Sequence, residues 1–573
     1  MKTILVGINA KFIHSNLAIR YLKKYTEQKQ NISITTCEYT INHQTEFILR
    51  EIAKQKPDIL GFSCYIWNYE IIKKLVKELK KILPQTTIFL GGPEVSYDSR
   101  KVIENTDCDI VICGEGEIPF SELIDRLTHN EDYSDVEGIT YRNNSEVISN
   151  KLSAAIPLDD IPFVYDDFDV LDNRIIYYES TRGCPFRCQY CLSSGTGGVR
   201  YLSLERVFHD LNIFLTNKVR QVKFVDRTFN CDKQHCMAIW QYIMEHDNGY
   251  TNFHFEIAAE LLDHEMIAYL YQARRGLFQF EIGVQSTNKE TLKAIKRRTE
   301  TSKLTPIIHS LQEKNNIHMH LDLIAGLPFE GYDSFMHSFN YVYGLHPDQL
   351  QLGFLKLLKG SGLFDNACNY GLVYTSYAPY EILKTNWLTY DEISKLKMIE
   401  EMVEMYYNSN RYQLLVRYLC GFFSSPFRFF EALAGYYEVN NLHTLSHSKV
   451  ETYSILWDFF QTLDKKENTS FKWYALFDLY SHEKAKKLPD WLDISMKEDY
   501  KTAVFEFIDN KENVMKYLSE YEEFDTKQII RSAHIEVFPF NPITNEQEVT
   551  PVLFNYRDCD ILGNAKYEVI CLS

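Results

Sequence analysis

Hydrophobic periodicity divides the chain into three stretches. Over residues 1–135, short apolar runs alternate with runs of helical spacing. Strands are predicted over 2–7, 32–38, 59–64, 87–90 and 109–113, and helices over 16–28, 45–54, 69–82 and 120–127. Strands separated by helices imply βαβ units and a parallel sheet, here an α/β, flavodoxin-like, doubly wound domain. Residues 136–173 are irregular and acidic, punctuated by Pro157 and Pro162, and read as a linker. A second alternation occupies residues 174–375. Its strands are expected at 174–179, 221–225, 252–258, 277–283, 318–324 and 349–354, with helical runs between them. Six βα units predict a partial (β/α)6 barrel whose chemistry sits at the C-terminal strand ends. From 376 to 573 the pattern turns to Tyr and Phe at helical spacing, over 380–384, 390–408, 412–419, 427–437, 452–463 and 474–479. Strand-like runs follow at 534–540 and 567–572, so this third domain is expected to be mainly helical with an aromatic core.

Composition narrows the class. The chain has 573 residues, 45% hydrophobic and 24% charged, as a soluble multidomain protein would. No apolar run approaches the roughly 20 residues a membrane span needs, and the first residues turn polar too soon for a signal peptide. Thirteen cysteines without an export signal suggest a reducing cytoplasm, and a cytoplasmic location is expected. A formal charge of −17 argues against a broad nucleic-acid surface, so neither a nucleic-acid nor a membrane partner is expected.

The densest chemistry lies at Gly183-Cys184-Pro185-Phe186-Arg187-Cys188-Gln189-Tyr190-Cys191. Three cysteines within eight residues, directly after a strand, suit one face of a cubic iron–sulfur cluster. Three ligands for four irons leave one iron open for a substrate or cofactor. The rival is a structural zinc site, which usually needs four closed ligands in paired blocks. His235, with Cys231 and Cys236, would be the source of the fourth. A disulfide does not suit an odd set of cysteines in such a chain.

The ends of the first-domain strands carry a second set: Ser63-Cys64-Tyr65-Ile66-Trp67-Asn68 after the third, Gly91-Gly92-Pro93-Glu94 after the fourth, and Gly114-Glu115-Gly116-Glu117 after the fifth. Glycines at strand ends let backbone approach a large ligand, although each motif alone also reads as a tight βα turn.

The spacing Cys-x3-Cys-x2-Cys, with Tyr190 before the last cysteine, resembles the signature of the radical S-adenosylmethionine (SAM) superfamily. The Leu-Gly-Gly-Pro-Glu and Gly-Glu-Gly-Glu motifs resemble the N-terminal domain of its cobalamin-dependent members, and the tail resembles an uncharacterised domain found in one subfamily of them. The resemblance implies a [4Fe-4S] cluster on Cys184, Cys188 and Cys191. It also implies SAM against Tyr190, Asp226 (amino group), Glu260 and Gln285 (ribose), Arg297 (carboxylate) and Gly326 (adenine). Cobalamin is implied against Ser63, Tyr65, Gly91, Gly92, Gly114, Glu115 and Gly116. The Asp-x-His-x-x-Gly motif that ligates cobalt in many cobalamin domains is missing, because residue 12 is Phe and residue 17 is Leu. His14 is therefore read as a surface or turn histidine, and no histidine of that motif is expected on cobalt. Methylthiotransferases, the other radical SAM group with such a domain, place a cysteine behind the first strand, where this chain has Asn9-Ala10-Lys11-Phe12.

In this family the reduced cluster cleaves SAM to a 5′-deoxyadenosyl radical, and methylcobalamin supplies a methyl group. The implied activity is methyl transfer to an unactivated carbon of a small-molecule or natural-product substrate, with an electron donor such as flavodoxin or ferredoxin. A radical cyclase or rearrangement enzyme without net methylation is the alternative within the family, and a non-catalytic corrinoid or redox sensor the alternative outside it. No catalytic side chain is assigned, because this chemistry needs no general base.

Overall fold

The structure, a computed structural model, describes all residues except 145, 169–170, 172, 196, 464–468, 486, 497–498, 522, 560–563 and 573. The chain divides into two compact units: Met1–Phe335 with Gly353–Tyr390, and Met336–Leu352 with Asp391–Ser573.

The first unit opens with a parallel sheet of β1 (Thr3–Asn9), β2 (Ile34–Thr40), β3 (Ile59–Ser63), β4 (Thr87–Gly91) and β5 (Ile110–Ile112), in the order β2-β1-β3-β4-β5. This is the doubly wound order whose ligands bind outside the carboxyl ends at the β1/β3 switch point. β1, β3 and β5 are buried along their whole length, as strands covered on both faces must be. The crossing helices fall close to expectation. Asn16 caps the helix Leu17–Lys29 by accepting from Ile19 N.

One expectation is corrected here. Part of the linker, β6 (Ile139–Asn143) and β7 (Glu146–Ser149), is an antiparallel hairpin that extends the first sheet beyond β5. Its run of Ile139-Thr140-Tyr141, buried against β5, carries a strand signal that the surrounding acidic residues mask.

The second sheet contains β8 (Ile176–Tyr178), β11 (Gln221–Phe224), β12 (Asn252–Ile257), β13 (Phe278–Gln285), β14 (His318–Ala325) and β15 (Gln349–Phe354), in sequential order. β8, β11, β12, β13 and β14 pair in parallel, and the six strands match those predicted for a partial barrel. Between β8 and β11 a small antiparallel ribbon joins β9 (Thr181–Gly183) to β10 (Val199–Tyr201). A second correction concerns 380–384: Ile382–Lys384 is a strand paired with Val373–Tyr374, not a helix.

The second unit is mainly helical, as expected, and ends in an antiparallel sheet of Ala533–Phe538, Thr550–Cys559 and Ala565–Val569. The middle strand, Thr550–Cys559, is not among those the sequence predicts. The core of this unit is aromatic, with Phe339 packed on both Phe427 and Phe430 and all three fully buried.

Candidate functional site

The cysteine loop hangs from the neck of the β9–β10 ribbon, directly beyond β8. Gly183 holds a φ of 109°, a conformation that favours glycine. Cys188 is buried and Cys184 and Cys191 are half-buried, all as free thiols. The loop is tied at its centre, where Gln189 N donates to Ile295 O at 2.9 Å and Gln189 O accepts from Leu363 N at 2.8 Å. Cys184 Sγ lies 3.5 Å from Thr228 Oγ1, and Arg297 Nη1 lies 3.9 Å from Cys188 Sγ. Burial raises the Tyr190 pKa against the opposing charge of Arg297, so the phenol stays protonated beside Cys188 and Cys191.

Among the described residues, no three His, Cys, Asp or Glu side chains are gathered to hold a single metal ion. Cys236 is fully buried in the helix Lys233–Glu245, and His235 packs on the ring of Tyr201. A cuboidal cluster bonds each thiolate to a different iron, so its ligands stand further apart than those of one ion.

Arg297 lies near Tyr190 and Glu260, two of the residues expected at SAM. Its Nη2 donates to Gly283 O at 2.6 Å and its Nε to Thr299 Oγ1 at 3.2 Å. The charge of Glu260 acts on the same guanidinium, from the turn Ala259–Leu261. Gln285 sits at a bulge with a φ of 69°, its Nε2 folded over Gly283 and its Oε1 buried with no partner among the described residues. Gly326, with a φ of 90°, is packed so closely that a Cβ there would lie 2.7 Å from Ile382 Cγ2.

Asp226 is fully buried, and its carboxylate accepts from Ser180 N at 2.8 Å, Thr181 N at 3.0 Å and the Ser180 hydroxyl. Its side chain holds the turn entering the cysteine loop, a role beyond the expected contact with a SAM amino group. Burial pushes its pKa up to about 7.

On the other side of the loop, the carboxyl ends of β1, β3, β4 and β5 face a cavity of about 650 Å³. That volume lies within the range of pockets for cofactor-sized ligands, about 300–1,000 Å³. Ser63, Tyr65, Gly91, Gly92, Gly114, Glu115 and Gly116 all line it. Gly92 has a φ of 113°, and a Cβ on it would lie 2.6 Å from Cys64 O, so the chain makes room there only for glycine. The rings of Tyr65 and Trp67 stack at 4.3 Å and 7°, and Trp67 Nε1 donates to Ile8 O. The opposite wall comes from the barrel: Tyr177, Glu179, Arg182, Val225 and Arg227.

Two details differ from expectation. The Glu115 carboxylate pairs with Arg200 and Arg182 and accepts from Ile156 N, so it fastens the loop as well as lining the cavity. His14 does lie in a turn, yet it also lines the cavity, with Nδ1 2.6 Å from Tyr177 Oη. Burial, aided by Lys11 and Lys223, lowers its pKa. No motif singles out Arg182, which holds Glu117 at 3.0 Å and Glu179 at 2.7 Å. It also hid the polar interior of the barrel, where Lys223, His254, Glu281 and His320 occupy alternate strand positions. That alternation within otherwise apolar strands was the available signal.

Residues 3–124 match the family of B12 binding domains, residues 178–342 the radical SAM superfamily, and residues 368–554 a family described as a protein of unknown function (DUF4080). The chain thus carries a B12-binding match, a radical SAM match and a DUF4080 match in succession. The cysteine loop lies within the radical SAM match, and every strand that ends on the cavity's first wall lies within the B12-binding match. Among curated proteins, the cobalamin-dependent radical SAM methyltransferase TokK of Streptomyces tokunonensis is 26% identical over 369 residues, 58% of this chain and 52% of that protein. An uncharacterized methyltransferase of Pyrococcus horikoshii is 25% identical over 378 residues, 61% of this chain and 79% of that one. This chain thus spans about half the length of TokK. Among solved structures, OxsB with aqua-cobalamin and SAM bound has a TM-score of 0.56 at 16% identity, covering 84% of this chain and 78% of that one. TsrM from Kitasatospora setae, with cobalamin and a [4Fe-4S] cluster bound, has a TM-score of 0.55 at 14% identity, covering 66% and 76%. At such identities the likeness is one of fold.

The residues present fit the groups this family carries. Cys184, Cys188 and Cys191 are free thiols on one loop with a guanidinium beside them, a suitable donor set for an iron–sulfur cluster. The glycine-lined cavity, with its stacked Tyr65–Trp67 wall, suits a broad, largely apolar macrocycle.

Proposed function

We propose that the protein is a cobalamin-dependent radical SAM methyltransferase acting on an unactivated carbon of a small-molecule substrate, reduced by a small electron-transfer protein such as flavodoxin or ferredoxin. One observation carries this reading. A single cavity is bounded on one side by the B12-domain strand ends and on the other by Thr181, Arg182, Gly183, Val225 and Arg227, which frame the cysteine loop and the barrel mouth. Groups bound in the two domains would therefore face a shared space.

When bound, the cluster, SAM and cobalamin supply reductive sulfonium cleavage, hydrogen abstraction and methyl transfer. The chain supplies placement. Arg297, anchored on Gly283 O, is aimed to pair with a carboxylate, for which a guanidinium is the strong partner. Asp226 fixes the turn that presents the loop, and Arg182 clamps that turn to Glu117 of the B12-binding domain.

The test is anaerobic purification after expression with hydroxocobalamin, with iron, cobalt and the visible spectrum recorded together. Methyl-labelled SAM is then supplied with reductant and candidate substrates. Iron near four per chain, stoichiometric cobalt and label in the product are expected. Cobalt without label in any product would favour a cyclase or rearrangement, and iron without cobalt would remove the corrinoid from the scheme. Cofactor loading with negligible 5′-deoxyadenosine would favour a sensor.

A further inference from the structure

The lining of the large cavity carries five charged side chains: Glu115, Glu117, Glu179, Arg182 and Arg227. Four of them are paired. Arg182 holds Glu115 at 3.3 Å, Glu117 at 3.0 Å and Glu179 at 2.7 Å, and Arg200 takes the other oxygen of Glu115. Arg227 stands apart. It is exposed and lines the cavity, and among the described residues its guanidinium has no hydrogen bond and no ion pair. Its charge acts at longer range on Glu256 and on the Tyr65 phenol, with no hydrogen bond to either.

The chain fixes the root of this side chain on both sides. Before it, Asp226 is buried and accepts from Ser180 N and Thr181 N. After it, the Thr228 hydroxyl donates to Arg227 O at 2.7 Å and lies 3.5 Å from Cys184 Sγ. Arg227 is thus held beside the cysteine loop, on the wall opposite the B12-domain strand ends. A corrinoid seated against those strand ends would displace water from the cavity, and a guanidinium that loses water needs a partner of opposite charge. The carboxylates of the lining are already engaged by Arg182 and Arg200, so the partner has to arrive with a ligand.

We infer that Arg227 binds a carboxylate of the substrate in this cavity. One unpaired guanidinium matches one negative charge, and its planar fork takes both oxygens of a carboxylate in parallel hydrogen bonds. A doubly charged phosphate group would call for a second free cation, and no other lining residue supplies one among the described residues. The inference rests on the proposal that substrate occupies the space between the corrinoid and the cysteine loop. Its test does not depend on methyl transfer.

Hexanoate and hexanamide, nearly equal in size and shape, are titrated by calorimetry into the anaerobically reconstituted full-length protein with SAM and methylcobalamin supplied, at about pH 7.5, where the acid is ionised. Hexanoate is expected to bind about tenfold more tightly or better, as a charge-assisted pair should. Arg227→Gln should reduce that preference to about threefold or less, and Arg227→Lys should keep part of it, because the charge remains and the fork is lost. Both variants should leave the Kd for SAM and for cobalamin within about twofold. Equal binding of the two probes by the unsubstituted protein would overturn the inference, as would a preference that survives Arg227→Gln. A tenfold loss of SAM affinity in Arg227→Gln would also overturn it and give this guanidinium to the SAM carboxylate. A tenfold loss for cobalamin but not for cobinamide, which lacks the phosphodiester and nucleotide, would overturn it and give the guanidinium to the corrinoid tail. Failure of the methyl-labelling experiment with the carboxylate preference intact would remove the proposed reaction and leave the site standing.

Discussion

Arg297 places its Nη1 3.9 Å from Cys188 Sγ while its Nη2 is anchored on the carbonyl of Gly283 at 2.6 Å. One guanidinium thus spans the cysteine loop and the end of β13. Arg297→Ala should weaken SAM binding about tenfold or more, since hydrogen bonds to charged groups contribute about 1.5–3 kcal/mol. Calorimetry on the reconstituted protein reads this. Arg297→Lys should recover only part, because the ammonium cannot hold Gly283 and a carboxylate in one plane.

Each of Cys184→Ala, Cys188→Ala and Cys191→Ala should abolish the broad absorbance of an iron–sulfur cluster and reduce bound iron to background. Cys231→Ala and His235→Ala should leave iron unchanged. Iron analysis after identical anaerobic reconstitution separates the two groups. Loss of iron in the second group would revive a mixed ligand set.

Gly92→Ala should destabilise the protein and empty the corrinoid site. The substitution forces an alanine into a φ of 113° and a Cβ to 2.6 Å from Cys64 O. Strain of that kind costs about 1–3 kcal/mol before the clash is counted. A fall in melting temperature together with loss of cobalt is expected. Trp67→Ala should lose cobalt with a smaller effect on melting, because its ring is 43% exposed.

Asp226 makes stability depend on pH in an unusual direction. Its folded-state pKa, raised to about 7 by burial, lies above the unfolded value near 3.9. Below about pH 4 both states are protonated and no penalty arises. Between about pH 4 and 7 the unfolded chain releases the proton first, so this group's contribution to stability falls as pH rises, and it levels off above 7. Asp226→Asn removes this titration. Relative to the unsubstituted protein, the variant should gain stability from pH 4.5 to pH 7.5, because only the aspartate loses stability over that range. Chemical denaturation of both proteins at the two pH values measures the change. A relative loss over that range would show that the carboxylate is ionised throughout.

Much of the fold was legible because its signals are local. The six barrel strands were readable from apolar runs of strand length, and the five parallel strands of the first sheet from the same pattern. The hairpin at Ile139–Ser149 was not, since its register depends on burial of Ile139 and Tyr141 against β5, a neighbour that periodicity does not name. The short strand Ile382–Lys384 was mistaken for helix for a similar reason. Three residues have no periodicity to weigh against a partner strand.

The sequence by itself determined the chemistry on offer: three cysteines at cluster spacing, glycines at the strand ends of the first domain, and the absence of the cobalt-ligating motif. These are properties of short segments, where residue type and spacing are sufficient. Only the tertiary structure decided how those groups are used. Asp226, a credible ligand by position, is engaged by Ser180 and Thr181, while Arg182, unremarked in the sequence, clasps Glu117 from 65 residues away. His14 comes to the cavity because Ile13 O accepts from Ile175 N across 162 residues. Whether a polar atom is free for a ligand depends on which distant partner folding brings to it, and burial makes that pairing decisive by removing water as the alternative.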